Sequence, residues 1–246
     1  MEFRLPAWHK TMPLFGDRRV IELLPIPVLL DEISLMNIVA LPVTRRNANQ
    51  RRRAPQIIEA AARVFAERGF HGATTQDIAD VLGIKQASLY YYFSSKEAAL
   101  ELVCVKGVEG FFDAAKAIAA RPESATNRLT LLIKSHLSPL VDRPDFVRVF
   151  LNERQHLPRE SRRRIGRWSR GLERIFEDVI KEGIAQREFR ADLDARLATL
   201  AILGMCNAAS NWHRKESTAI DRTAAEFAQL VIDGMGKRPA APRRRR

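Results

Sequence analysis

Residues 74–97 read Thr-Thr-Gln-Asp-Ile-Ala-Asp-Val-Leu-Gly-Ile-Lys-Gln-Ala-Ser-Leu-Tyr-Tyr-Tyr-Phe-Ser-Ser-Lys-Glu. Thr74 with Asp77 has the spacing of a capping box, which satisfies two orphan N–H groups at the start of a helix. Ile78, Ala79 and Leu82 recur on one face, and Gly83 supplies a turn at low steric cost. A second short helix is predicted over 85–92, with Leu89 and Phe93 on its buried side. Ser94 and Glu97 read as a second capping box, opening a further helix at Ser95. Two short helices joined by a glycine turn, the second polar at its start and rich in tyrosine, have the layout of a helix-turn-helix whose second helix enters the DNA major groove.

Upstream, Pro55 suits the first turn of a helix, because its missing N–H has no partner there anyway. Ile58, Ala61, Ala62 and Phe65 then share a face. Gly69 can take the left-handed position that ends the helix, with Phe70 closing back on the last turn. Helix 1 is predicted over 55–68. Residues 1–53 carry Pro6, Pro13, Pro25, Pro27 and Pro42, with no sustained helical period. They read as a basic, disordered extension, or as sequence upstream of a natural start at Met36. Residues 96–236 read as helical throughout, with breaks at Arg121-Pro122, Arg143-Pro144, Leu157-Pro158, Arg190 to Asp192 and Glu216 to Ile220. The helix after the motif is predicted over 95–120. The expected division is an extension (1–53), a DNA-binding domain (54–97), a ligand-binding and dimerisation domain (98–236) and a basic tail (237–246).

With Leu89 and Phe93 turned inward, the other faces of the second helix are left for DNA. Gln86 can bond an adenine edge twice, Ser88 is less selective, and Ala87 can pack on a thymine methyl. Tyr90, Tyr91 and Tyr92 carry hydroxyls that reach phosphates. Thr75, Gln76 and Lys96 stand at helix starts, where backbone amides favour phosphate oxygens. The competing reading for any one tyrosine is that it holds the domain together.

The chain has 246 residues, 46% of them hydrophobic, and a formal net charge of +12. That length buries a substantial core. The charge is uneven: residues 1–53 contribute +4, residues 237–246 contribute +6, and the middle contributes only +2. Overall basicity therefore does not carry sequence recognition. Tails such as Arg51 to Arg53 and Arg243 to Arg246 are solubilising or bind phosphate non-specifically. Cys104 and Cys206 lack metal or redox spacing and read as buried thiols in a reducing cytoplasm. The five histidines are scattered, so no metal site and no cofactor are expected. The apolar stretch from Val20 to Leu41 is interrupted by Glu22, Pro25, Pro27, Asp31 and Glu32, too often to span a bilayer. There is no secretory leader pattern, and a cytoplasmic location without membrane partners is expected.

The residues from Ile58-Glu59-Ala60-Ala61 through Phe65-Ala66-Glu67-Arg68-Gly69-Phe70, Thr74-Thr75, Asp77-Ile78-Ala79, Leu89-Tyr90-Tyr91-Tyr92-Phe93 and Lys96-Glu97 closely resemble the TetR/AcrR family of bacterial transcription regulators. The resemblance covers about residues 55–105. It implies an all-α, two-domain homodimer. The N-terminal three-helix domain would bind a palindromic operator, and the C-terminal helical domain would bind a small effector and dimerise. The operator-contacting positions it implies are Thr75, Gln76, Gln86, Ala87, Ser88, Tyr90, Tyr91, Tyr92 and Lys96, and Lys85 is expected to add a phosphate contact. This chain has Lys85-Gln86 where serine and then lysine are common in the family. The lost serine cap is worth about 1 kcal/mol, and the change bears on base preference.

In the C-terminal part, Arg154, Arg159, Arg162, Arg163, Arg164, Arg167, Arg170 and Arg174 form an arginine-rich segment. Arg163, Arg167, Arg170 and Arg174 follow helical spacing, with Ile165, Trp168, Leu172, Ile175 and Val179 opposite. This is either a solvated outer face or an anion site, because guanidinium forks suit phosphates and carboxylates. Asn207 and Trp212 add a polar group and an aromatic surface near Gly204, for either dimer packing or a ligand. The candidate ligand set is Phe150, Arg163, Arg167, Trp168, Arg170, Asn207 and Trp212. Both features resemble the subset of the family that senses acyl-CoA thioesters.

Two seams are expected at the dimer interface: Leu193, Leu197, Leu200 and Gly204, and Ala224, Phe227, Val231 and Met235. The function implied is a repressor that binds double-stranded operator DNA as a dimer and is released by a small apolar or anionic effector. Alternatives are a nucleoid-type DNA-coating protein driven by the tails, or a regulator of drug efflux sensing neutral or cationic compounds. No catalytic residues are assigned, since there is no GxSxG, Gly-rich phosphate loop or metal pair. His156-x-x-x-Glu160 spans Pro158 and is an isolated spacing.

Overall fold

The computed structural model describes the backbone of residues 48–236 and the side chains of 52–236. The proline-rich extension before Ala48, Met36 and the Arg243–Arg246 tail lie outside the described residues. The described chain is helical, without a strand. Its helices are α1 (Ala48–Gly72), α2 (Thr75–Leu82), α3 (Gln86–Leu89), α4 (Lys96–Val108), α5 (Phe111–Ala119), α6 (Ala125–Leu137), α7 (Pro139–Asp142), α8 (Pro144–Glu153), α9 (Arg159–Ala185), α10 (Ala195–Ala208), α11 (His213–Glu216) and α12 (Ile220–Met235). Single 3₁₀ turns follow α8 (Arg154–His156) and α10 (Ala209–Asn211).

Helix α1 starts at Ala48 and not at Pro55, which stands inside it. The residues before Pro55 include Ala48, Gln50, three arginines and Ala54, which are good helix formers. The ordered helix is broken where the sequence predicts, at Gly69, whose φ of 68° departs from the helical range. Phe70 then folds back, its ring centre 6.0 Å from that of Phe65. The capping box of α2 forms as expected. Asp77 N–H donates to Thr74 Oγ1 at 3.1 Å, and Thr74 N–H donates to Asp77 Oδ2 at 2.8 Å. Gly83 closes α2 with φ 62°, while the N–H of Ile84 donates to the Ala79 carbonyl at 3.1 Å and that of Gly83 to Asp80 at 3.1 Å. This is the Schellman arrangement, which a non-glycine residue enters only with strain.

Three expected boundaries move. Helix α3 is a single turn over Gln86–Leu89, not 85–92. The Leu89 carbonyl accepts from both Tyr92 and Phe93 N–H, so the tyrosines form a tight turn held by the buried Leu89 and Phe93. The second capping box is absent. Ser95, not Ser94, caps α4, accepting from Ala98 N–H at 3.1 Å, so Glu97 stands one position too early to reciprocate. The long helix expected over 95–120 is two helices, because Gly110 at φ 83° turns the chain between α4 and α5.

Two apolar clusters result. The first joins α1–α4 with Val149 of α8, Leu157 and Ile165, so residues far along the chain complete the core of the N-terminal helices. The second packs α5, α6, α9, α10 and α12 around Phe176, Ile180, Leu129, Ile133 and Phe189. Arg128 is buried in this part, donating to the Ala119 carbonyl at 2.8 Å and to Glu182 at 2.5 Å. Glu188 reaches across to the start of α6 and accepts from Ala125 N–H, Thr126 N–H and the Thr126 hydroxyl at 2.9, 2.9 and 2.7 Å.

Two measurements follow from this packing. A Cβ at Gly183 would lie 2.3 Å from the ring of the buried Phe189 and 3.0 Å from Ala125. Gly183→Ala is therefore expected to cost about 3 kcal/mol by overpacking, read as a fall in Tm of roughly 6–12 °C. Burial pushes the Glu188 carboxyl up, but the hydrogen bonds from Thr126 and Ala125 outweigh it and hold it below its usual range. A depressed carboxyl stabilises fully above its unfolded pKa of about 4.3. That stabilisation is lost as pH falls through the lower folded value. Thermal melts at falling pH should thus show a shallower acid loss for Glu188→Gln than for the parent.

Candidate DNA interface, effector cavity and the contact between them

The helix-turn-helix presents Tyr90 and Tyr91 to solvent, 56% and 70% exposed. Lys85, Ala87 and Gln76 are exposed beside them, and Thr75 and Ser88 are half-buried. Tyr92 is different: it packs against the apolar cluster, so its ring holds the domain together. The Gln86 amide donates to the Thr75 hydroxyl at 2.6 Å. These two expected base and phosphate readers are thereby bonded to each other across the motif. Gln76 donates to Asp80 at 2.6 Å. Lys85 provides no cap to α3, as its side chain dictates.

Lys96 corrects the expectation of a plain phosphate contact. Its ammonium donates to the carbonyls of Phe70 and Ala73 at 2.8 and 2.9 Å, and it lies 4.5 Å from the Phe70 ring centre. The broken end of α1 leaves these carbonyls without helical partners, and a half-buried cation satisfies them. Sequence position at a helix start points to phosphate; the three-dimensional neighbour is the end of α1.

A cavity of about 310 Å³ lies in the C-terminal helices. Its apolar wall includes Val108, Phe111, Phe112, Leu140, Phe150, Trp168, Leu172 and Leu203, and its polar groups include His136, Arg154, Glu173 and Asn207. The volume sits at the lower end of small-molecule sites, roughly 300–1,000 Å³. Of the expected ligand set, Phe150, Trp168 and Asn207 line it. Arg163, Arg167 and Arg170 do not; they are exposed on the outer face of α9, with Arg174. Trp212 does not either. The 3₁₀ turn after α10 carries it toward α12, where its ring lies 6.0 Å from Phe227.

Arg154, His136 and the phenylalanines of α5 complete the wall and could not be selected by sequence pattern. Nothing in linear spacing shows which side of a turn faces a hollow. Arg154 lies over the Phe150 ring, 4.9 Å from its centre, and has no ion-pair partner among the described residues. Glu173, by contrast, is bound to Arg196 at 2.7 Å. His136 Nε2 and Asn207 Oδ1 are 3.0 Å apart. Burial lowers the His136 pKa and so favours the neutral imidazole, partly opposed by the bond to Asn207. Cys206 on the wall and Cys104 in the N-terminal core are pushed up to about 12 by burial and stay protonated.

The expected dimer seams divide. On α10, Leu197 is 64% exposed, and Leu200 and Gly204 are exposed and also border the cavity. On α12 the expected seam faces inward: Ala224 and Met235 are buried, and Phe227 and Val231 pack half-buried on the core. The outward apolar residue there is Leu230, 66% exposed. Within the protomer, this apolar face of α12 packs on α6 and Trp212.

The two parts meet at the broken end of α1. The Glu153 carboxylate, at the last residue of α8, accepts from Phe70 N–H at 2.9 Å. His156 stacks on Phe70 with ring centres 5.4 Å apart and an 11° tilt, and meets His71 edge-on at 4.3 Å. Glu160, once paired with His156 by spacing alone, is exposed in the first turn of α9. On the other side, Glu101 of α4 binds Arg164, and Ser161 donates to it at 2.7 Å. Phe150, Leu151 and Arg154 of the cavity wall thus flank the residue that holds the DNA-binding helices.

Residues 57–103 match the family described as bacterial regulatory proteins, tetR family, and residues 122–235 match a tetracyclin repressor-like C-terminal domain. The chain is 30% identical over 149 residues to the fatty acid metabolism regulator protein of Bacillus subtilis, covering 61% of this chain and 77% of that one. The chain belongs to the TetR family. It is also 26% identical over 185 residues to the transcriptional repressor KstR2 of Rhodococcus jostii, covering 74% of this chain and 91% of the relative. Among solved structures, FadR of Bacillus subtilis in complex with stearoyl-CoA superposes with a TM-score of 0.61 at 27% identity, over 74% of this chain and 98% of FadR. The protein is accordingly a ligand-responsive, DNA-binding transcriptional regulator, all-α, with a helix-turn-helix N-terminal domain and a helical C-terminal domain. Its relatives are regulators and not enzymes. No helix among the described residues is long and apolar enough to cross a membrane.

Lys96 gives this subsection its test. Lys96→Met removes a cation from two carbonyls and should cost about 1.5–3 kcal/mol of stability, read by denaturant titration. An unchanged midpoint would contradict the internal role.

Proposed function

We propose that the protein is a repressor that binds operator DNA as a homodimer through Lys85, Ala87, Ser88, Tyr90 and Tyr91, and that an acyl thioester entering the α5–α10 cavity releases it. The observation that carries this reading is the contact chain from Arg154 and Phe150 in the cavity wall to Glu153 on Phe70 N–H. The cavity is apolar and small, so it suits the acyl portion of such a ligand and leaves the nucleotide outside. Arg154 supplies a cation for an oxygen near the reactive end. The exposed Arg163, Arg167 and Arg170 on α9 stand outside it, on the same helix as Trp168, available to phosphates. The complex of the relative FadR with stearoyl-CoA supports the ligand class. The exposed Leu197, Leu200, Gly204 and Leu230 support a partner protomer on α10 and α12.

The ligand acts only through a difference in affinity between two conformers. A ligand seated against Phe150 and Arg154 displaces α8, Glu153 leaves the Phe70 amide, and the helix-turn-helix pair loses the separation its operator requires. Weakening DNA binding about 100-fold needs about 2.7 kcal/mol of coupling.

The test is a fluorescence-anisotropy titration of the full chain on its own upstream intergenic DNA, with and without acyl-CoAs of several chain lengths. Release by at least one of them is expected. Tight DNA binding that no acyl-CoA weakens would overturn the ligand reading. Tyr91→Ala should bind the DNA about tenfold more weakly, a loss of about 1.4 kcal/mol, with an unaltered Tm. Glu153→Ala should reduce the effector-induced weakening from about 100-fold to under about tenfold.

A further inference from the structure

We infer that His136 and Asn207 form a polar reading point in the effector cavity, and that the effector presents a hydrogen-bond-accepting oxygen to it, a carbonyl or a hydroxyl. The inference rests on the reading of this cavity as the effector site. The two residues come from different helices, α6 and α10, and meet inside a largely apolar wall. His136 Nε2–H donates to Asn207 Oδ1 across 3.0 Å. That bond uses the acceptor of the asparagine and leaves both its amide N–H donors, while a neutral imidazole donating through Nε2 keeps Nδ1 as an acceptor. His136 is edge-on to the buried Phe176, ring centres 6.2 Å apart, which fixes the imidazole plane.

The chemistry of the surroundings makes this pair selective. Glu173, the carboxylate in the wall, is engaged by Arg196, and Cys206 is a protonated thiol. A wholly saturated chain lying on Asn207 would cover the amide N–H groups and leave them without acceptors, which costs their desolvation. An oxygen at that point restores the bonds. Sites built to bond a ligand oxygen reject the analogue that lacks it far more strongly than apolar pockets reject an extra methylene. The oxygen can belong to the thioester carbonyl or to a keto or hydroxyl group on the acyl body; both present the same acceptor.

Calorimetry on the full-length protein separates these sources. The probes are a saturated acyl-CoA, acyl-CoAs of equal length bearing one keto or hydroxyl group, and the thioether analogue lacking the thioester carbonyl. Asn207→Leu removes the amide donors at similar volume, and His136→Phe removes only the bond that orients them. The expected result is at least about tenfold preference for an oxygen-bearing ligand over its deoxy match, with the ratio falling to about one in Asn207→Leu and part of the way in His136→Phe. Preference among acyl bodies assigns the oxygen to the body; loss confined to the thioether assigns it to the thioester. Equal affinity for all probes in the parent, or a preference that survives Asn207→Leu, overturns the inference and leaves the cavity as the effector site. The underlying reading fails with another signature, which overturns both: no probe binds, or binding survives filling of the cavity by Leu203→Trp. Should Asn207→Leu fail to fold, His136→Phe carries the test.

Discussion

Much of this molecule depends on the break in α1 at Gly69. A backbone with φ of 68° leaves the helix after Arg68, so Phe70 can offer its N–H to Glu153 and its carbonyl to Lys96. A side chain at position 69 would be strained at that angle, and its Cβ would stand 3.7 Å from the Glu153 carboxylate. One glycine thus creates both a donor for the C-terminal domain and acceptors for α4. The charged partners answer opposite ends of the same turn, a carboxylate on an amide and an ammonium on carbonyls, which are the stronger kind of hydrogen bond.

Around that turn the apolar core is shared. Val149, Leu157 and Ile165 complete the cluster of α1–α4, so the DNA-binding helices are not an independent ball on a linker. Packed interiors move between discrete arrangements and do not deform smoothly. Glu153 of α8 meets Phe70 directly. At Gly107, a Cβ would lie 3.3 Å from the Phe146 carbonyl, so α4 and α8 are also in close backbone approach. The α8 segment has cavity residues on one side and Glu153 on the other, followed at once by His156, so it touches both the cavity and the broken end of α1.

The helix-turn-helix was legible because its signals are local. Thr74 with Asp77, Gly83, and Leu89 with Phe93 each fix a backbone feature through atoms a few residues apart. The same local reading does not show bonds that come from far away. Lys96 is drawn to α1, Gln86 to Thr75, and the apolar stripe of α12 to α6 and Trp212. The arginine ladder of α9 was legible as a ladder, but its periodicity carries no information about whether it faces a cavity or water. The cavity itself was only partly visible: Phe150, Trp168 and Asn207 were selected, whereas Arg154, His136 and the α5 phenylalanines carry no spacing that marks them.

By itself the sequence determined the helical class, the motif and the family, because caps, turn glycines and apolar periods act within a few residues of chain. The tertiary structure alone decided which polar side chains are spent inside, which apolar faces remain outside, and which residues meet around the hollow. Those outcomes depend on groups such as Phe70 and Glu153, 83 positions apart, whose pairing is set by how helices pack and by nothing in their neighbours along the chain.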